Sequence, residues 1–246
     1  MSELFQNAKD NLSFLLVSAL IVAGAIILAK VVEKLIGFKA DTRIRVRRIA
    51  FIGIFSAIAT VLMLLEIPLP FLAPPFYKID FSELPVLICA FAYGPVAGMI
   101  TEFLKVLLKL LFKGTTTAFV GDLANFVIGI MLILPASIIY HIKKTRKNAL
   151  IGLGAGVALM TVFGTVFNAV YLLPTFAELY GMPLDAIIGM GAEINANITD
   201  VTTFVCFCVA PFNLLKGLAV SVLTFFLYKP LSPMIHKVHD DTLQSR

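Results

Sequence analysis

Seven apolar runs, at residues 12–36, 49–65, 84–92, 96–112, 119–142, 150–173 and 201–228, alternate with short polar connections along this 246-residue chain. A lipid-spanning helix needs about 20 apolar residues. In hydrocarbon, every backbone amide and carbonyl must be satisfied within the protein. Runs of this length and spacing predict an all-α polytopic membrane protein. The run at 84–92 is too short to span alone and stops at Tyr93-Gly94-Pro95. It predicts a short helix, tolerated only where protein surrounds it. Composition excludes a soluble domain, because 14% of the residues are charged where soluble domains carry about 25%.

The basic residues gather in three places. Residues 39–48 hold Lys39, Arg43, Arg45, Arg47 and Arg48, residues 141–148 hold Lys143, Lys144, Arg146 and Lys147, and the C-terminal end adds Lys229, Lys237 and Arg246. Residues 174–202 contain no lysine or arginine but include Glu178, Asp185, Glu193 and Asp200. The positive-inside bias puts the three basic segments in the cytoplasm, and the N-terminus with segments 67–83 and 174–202 outside. That alternation works only if 84–92 crosses. The net charge of +5 orients the chain in lipid and implies no nucleic-acid partner. Four units are expected. They are an accessory N-terminal transmembrane helix at 1–38, a basic cytoplasmic linker at 39–48, a six-helix substrate-binding domain at 49–230 and a cytoplasmic tail at 231–246. An uncleaved signal anchor is a second reading of the first unit.

Polar residues inside apolar runs mark the candidate site. Lys216 stands near the middle of the run 201–228, in Ala210-Pro-Phe-Asn213-Leu-Leu-Lys216-Gly217. A lysine there costs about 2.5–3.5 kcal/mol or more on insertion, and its stem is too short to reach either membrane surface. It predicts either a polar cavity or a pairing with a carboxylate such as Glu102. Asn213, three residues earlier, shares its helical face. Glu102, Lys105, Lys109 and Lys113 fall on one face of another helix. Glu102 and Lys105 are deep enough to pair, while Lys109 and Lys113 are placed to snorkel outward. Asn125 and Asn168 need partners in lipid, either a ligand or a neighbouring helix. Tyr171 follows Asn168 by nearly a turn, and Asp122 is positioned to cap its helix.

The outer connection at 67–83 is stiffened by Pro68, Pro70, Pro74 and Pro75 and carries Phe76 and Tyr77. It reads as a lid over a flat ligand or as a cap on helix ends. Ser82 with Pro85 marks a helix start, which makes Asp80 and Glu83 helix-start charges. Gly53 and Ala57 form a small-residue pair suited to close helix approach, within the chain or toward another subunit.

Catalytic patterns are missing from the sequence. His141, His236 and His239 fall in basic segments and are expected to be solvated. Lys113-Gly114-Thr115 lacks the frame of a phosphate loop. Cys89, Cys206 and Cys208 read as buried hydrophobes. Neither an enzyme nor a cofactor is expected.

Phe76-Tyr-Lys-Ile-Asp-Phe-Ser-Glu-Leu-Pro85, Tyr93-Gly-Pro-Val-Ala-Gly98, Asn168 before Tyr171, and Asn213-x-x-Lys216 together resemble the S components of energy-coupling factor vitamin transporters. The resemblance covers about residues 45–230 and is closest to the riboflavin-specific type. It implies a six-helix bacterial plasma-membrane protein that captures riboflavin from outside. A transmembrane coupling subunit and two cytoplasmic ATPases would be its partners. It also implies that Asn168, Asn213 and Lys216 hold the polar edge of the isoalloxazine, with the outer loop closing over it. Phe76, Tyr77, Asn125 and Tyr171 complete the expected substrate site, and Ala50, Gly53 and Ala57 the docking face. The N-terminal unit departs from the six-helix pattern. Another vitamin, flavin mononucleotide or pantothenate remains an alternative ligand. A self-sufficient ion-coupled carrier built on Glu102 is the alternative class.

Overall fold

Residues 12–35, 42–115, 117 and 119–240 are described by a computed structural model. Residues 1–11, 36–41, 116, 118 and 241–246, which include parts of the expected N-terminal unit, linker and tail, lie outside the described residues. Helix α1 spans Leu12–Leu35 and α2 spans Thr42–Leu64. A small antiparallel hairpin comes next, with β1 at Ile67–Pro68 paired to β2 at Lys78–Ile79. Then come α3 (Glu83–Tyr93), α4 (Pro95–Lys113), α5 (Val120–Ile142) and α6 (Arg146–Phe167). Helix α6 runs through a π-helical turn, Asn168–Leu172, into α7 (Leu173–Tyr180). Helix α8 (Leu184–Ala192) precedes the last span. That span is α9 (Val201–Phe204), a second π-turn (Val205–Val209) and α10 (Ala210–Asp240).

Among the described residues, five helical stretches are long and apolar enough to cross a membrane: Leu16–Leu35, Val46–Leu64, Val120–Ile142, Arg146–Tyr180 and Val201–Tyr228. The other two apolar runs become α3, which is short, and α4, whose four charges take it out of that class. Both pack against the rest of the bundle, α4 along one face. In α3 every residue from Pro85 to Phe91 is buried, and in α4 Glu102 and Lys105 are fully buried. The chain reverses between them at Gly94, with φ of 96°, a left-handed value that favours glycine. Pro95 then occupies the first helical turn, where no amide donor is needed.

Two expectations about segment ends change. No proline interrupts the chain between residues 42 and 67, so the basic stretch from Arg43 to Arg48 forms the first turns of α2 instead of a linker. Similarly, α10 continues helically to Asp240, past the expected start of the tail.

Close backbone approach holds α5 to α6. A Cβ on Gly152 would lie 2.6 Å from the Ala136 carbonyl oxygen, and one on Gly156 would strike that of Leu132. Without a hydrophobic drive between helices in lipid, such small-residue seams supply the packing. One core, containing Phe167, Leu172, Phe176, Ile187, Phe204 and Phe212, fills the end near the hairpin. A second, containing Phe91, Leu132, Tyr140, Leu153, Met160 and Tyr228, fills the other half, where the Tyr140 and Tyr228 hydroxyls meet at 2.8 Å. His141 is buried there, its Nδ1 2.9 Å from the Ser137 carbonyl oxygen, and is not solvated. Cys206 is exposed, unlike Cys89 and Cys208.

Helix α1 lies against α4 and α5 with Ser18, Ala25 and Ala29 buried in the seam. Glu33 ties it down, accepting from Arg48 Nη2 at 3.0 Å and from the Val96 amide at 3.1 Å. The second contact places a carboxylate at the N-terminus of α4, where the helix dipole favours negative charge.

Candidate ligand-binding site

Where the two cores meet, the bundle forms a partly open cavity of about 130 Å³. Its aromatic and apolar wall includes Phe76, Tyr77, Ile128, Met160, Leu172, Phe176 and Phe212. The polar groups in the wall are Lys78, Glu83, Asn125, Asn168, Asn213 and Lys216. Six of the seven predicted substrate residues therefore converge here. Tyr171 does not line the cavity; its ring packs beside Phe167, 5.6 Å centre to centre.

The two π-turns set the geometry of this wall. A π-turn widens a helix by one residue and shifts the phase of every later residue in it, and it is frequent at functional sites. The first begins at Asn168. Asn168 Nδ2 donates to the Gly164 carbonyl at 2.7 Å, and Oδ1 accepts from the Tyr77 hydroxyl at 2.6 Å. This second bond pins the outer hairpin segment to α6. Burial pushes the Tyr77 phenol well above its ordinary pKa, so it stays a neutral donor. The second π-turn precedes Phe212, Asn213 and Lys216. Gly164 leaves room for Asn213, since a Cβ there would sit 2.8 Å from Asn213 Nδ2.

Lys216 meets both of its sequence readings, lining the cavity and pairing with carboxylates in an interior ion chain, though with Asp80 and Glu83 in place of Glu102. Lys216 Nζ lies 3.0 Å from Asp80 Oδ2 and 3.0 Å from Glu83 Oε1. The same Glu83 oxygen is 3.3 Å from Lys105 Nζ, and Lys105 reaches Glu102 Oε1 at 2.6 Å and Asn125 Oδ1 at 3.3 Å. The Glu102–Lys105 pairing forms as expected. Asp80 and Glu83 are more than helix-start charges, because they neutralise Lys216 across the bundle. Ser82 supplies no side-chain cap to α3; instead its amide donates to Asp80 Oδ1 at 2.8 Å. Burial pushes the Asp80 carboxyl up, but the Lys216 and Lys105 cations and its bonds from Ser82 outweigh this and hold it below the usual carboxylate range.

Nearer the hairpin, Asp122 binds Lys109 Nζ at 2.5 Å in place of capping α5. Lys113 and Lys78 both reach Glu66, at 2.7 and 2.9 Å, so these lysines meet carboxylates and do not simply snorkel. Ala50, Gly53 and Ala57 lie exposed on one side of α2, away from the cavity, and nothing approaches within 4 Å of a Cβ at Gly53. Sequence reasoning did not find Lys78, Phe176, Phe212 or Met160 in the wall, nor Glu83 as a wall residue. For Glu83 a signal existed: Asp80 and Glu83 are spaced to face together, and Lys216 needed a countercharge.

A many-helix membrane protein with an aromatic-walled cavity beside its hairpin is the class these features define. The sequence matches the family described as "ECF transporter, substrate-specific component" over residues 47–228, and the chain belongs to that family. It is similar to the riboflavin transporter RibU of Staphylococcus aureus (strain TCH60), at 35% identity over 78% of this chain and 94% of that protein. It is also similar to the riboflavin transporter FmnP of Bacillus subtilis (strain 168), at 31% identity over 78% of this chain and 96% of that protein. Among solved structures, the S component of a bacterial ECF transporter superposes with a TM-score of 0.61 at 34% identity, covering 78% of this chain and 98% of that one. The chain is thus a multi-pass membrane component of a bacterial transporter family. Helix α1 precedes the matched residues.

Proposed function

We propose that this chain is the riboflavin-capturing S component of an ATP-driven uptake transporter in the bacterial plasma membrane. The observation that carries the proposal is the cavity's composition. Phe76, Tyr77, Phe176 and Phe212 offer faces on which a flat tricyclic ring system can be sandwiched, while Asn213 and Lys216 supply donors to its pyrimidine-like edge. Riboflavin is the ligand in the names of the relatives above, which supports the choice. Asn168 and Asn125 border the same space, and Tyr171 acts behind the wall by supporting Phe167.

The cavity is small for a ligand of this size, since small-molecule sites usually run to roughly 300–1,000 Å³. Loading requires the hairpin with Phe76 and Tyr77 to swing outward, breaking the Tyr77–Asn168 bond. The outer connection thereby serves as a lid. A transmembrane coupling subunit docks on the small-residue face of Ala50, Gly53 and Ala57, and two cytoplasmic ATPase subunits supply the energy. Residues 49–230 form the substrate-binding domain, with α1 as an accessory helix. An ion-coupled carrier is less well supported, because Glu102, the carboxylate it would use, is already paired with Lys105.

The test is the absorbance spectrum of the detergent-purified chain from riboflavin-containing medium. Near-stoichiometric flavin is expected in the wild type, with at least tenfold weaker retention in Asn213→Ala. A wild-type protein that carries no flavin and does not quench added riboflavin fluorescence overturns the ligand assignment. Uptake by cells expressing the chain without ATPase partners overturns the assembly.

A further inference from the structure

Glu83 is 1% exposed and lines the cavity from the first turn of α3. Its Oε1 is shared by two ammonium groups, Lys216 at 3.0 Å and Lys105 at 3.3 Å. Its Oε2 is buried and has no hydrogen-bond partner. A buried charged acceptor left without a donor is costly, and carboxylates of this kind are normally satisfied on both oxygens. Glu102 has a similar bare oxygen, but Glu102 does not line the cavity. The polar corner of the cavity therefore brings together an ammonium paired with two carboxylates, a carboxylate with one oxygen lacking a hydrogen-bond partner, and the Asn213 amide.

We propose that Glu83 Oε2 is the acceptor for a ligand N–H, and that this makes Glu83 the residue selecting ligands with an imide edge. The inference rests on the riboflavin reading above. In a flavin the N3–H stands between two carbonyls, an acceptor–donor–acceptor row. Lys216 and the Asn213 amide donate to the carbonyls on either side, and Glu83 takes the proton-bearing nitrogen between them through a charge-assisted bond. The same corner rejects anions. Lys216 is already countered by Asp80 and Glu83, each 3.0 Å away. A ligand carboxylate or phosphate placed here meets these two carboxylates beside the ammonium. Lys216 is thus a hydrogen-bond donor to a neutral edge and not an anion receptor.

The experiment compares riboflavin with N3-methylriboflavin by fluorescence quenching on the full chain and on Glu83→Gln. In the wild type, N3-methylriboflavin binds at least 30-fold more weakly. In Glu83→Gln the two lysines keep the amide oxygen, so the NH2 group faces the ligand N–H. Riboflavin then weakens at least tenfold and the preference over the methylated ligand falls at least fivefold. The preference is a ratio within one protein sample, so a partly misfolded variant does not move it. Glu83→Ala, which also makes room for the methyl group, brings the two ligands within threefold and serves if the glutamine variant does not fold. Equal binding of both flavins by the wild type overturns the inference and leaves riboflavin capture standing. An unchanged ratio in either variant also overturns it. Binding of neither flavin by the wild type overturns the function on which it rests.

Discussion

Replacing Asp80 with asparagine removes one of the two carboxylates that hold Lys216, while leaving a side chain able to keep the Ser82 turn. The cost at neutral pH is about 1–3 kcal/mol, less than the 3–5 typical of breaking a buried pair outright, because Glu83 stays in place. The sign of the pH dependence comes from the depressed carboxyl. Asp80 contributes its full stability above the ordinary aspartate value, about 3.9. That contribution disappears as pH falls through the lower folded value. Thermal melts in detergent should show Asp80→Asn less stable than wild type at pH 6, with the gap closing toward pH 3. A gap that is constant with pH contradicts the pairing. Lys216 itself was legible as important from its position in an apolar run. Its partners were not, because they sit more than 130 residues away in sequence and only helix packing brings them to it.

Helix α6 carries two kinds of glycine, and they should fail differently. Gly156 touches the Leu132 backbone, so Gly156→Ala forces α5 and α6 apart and costs about 1–3 kcal/mol of stability. Gly164 instead gives space to the Asn213 amide. Gly164→Ala should therefore lower riboflavin affinity several-fold while shifting the melting temperature less than Gly156→Ala does. Parallel melts and ligand titrations of the two variants check this; a common ratio of stability loss to affinity loss would contradict the separate roles. The π-turns were invisible in the sequence, since hydrophobic periodicity over five residues cannot distinguish a π-turn from an α-turn. Their effect on the site is large, because one sets Asn168 and the other precedes Asn213 and Lys216.

For the whole chain, the docking of α1 predicts that it stabilises the bundle without shaping the cavity. None of its described residues lines the site, yet Ala25, Ala29 and Glu33 bind it to α2, α4 and α5. A chain lacking residues 1–38 should bind riboflavin within threefold of the full protein and melt about 2–4 °C lower for each kcal/mol of packing lost. A tenfold loss of affinity would mean that the helix acts on the site.

Read as a string of residues, the chain already declares that it lives in lipid, where its helices run, and which amides and lysine are candidates to border a cavity. It can do so because burying polar backbone or charge in hydrocarbon is expensive enough to leave a mark on local composition. Which carboxylates answer Lys216, that Tyr171 turns away from the cavity, and that Glu83 keeps one oxygen bare emerge only once the helices are packed. Those outcomes depend on helix phase and on contacts between distant segments, and a difference of one residue in a π-turn is enough to redirect a side chain.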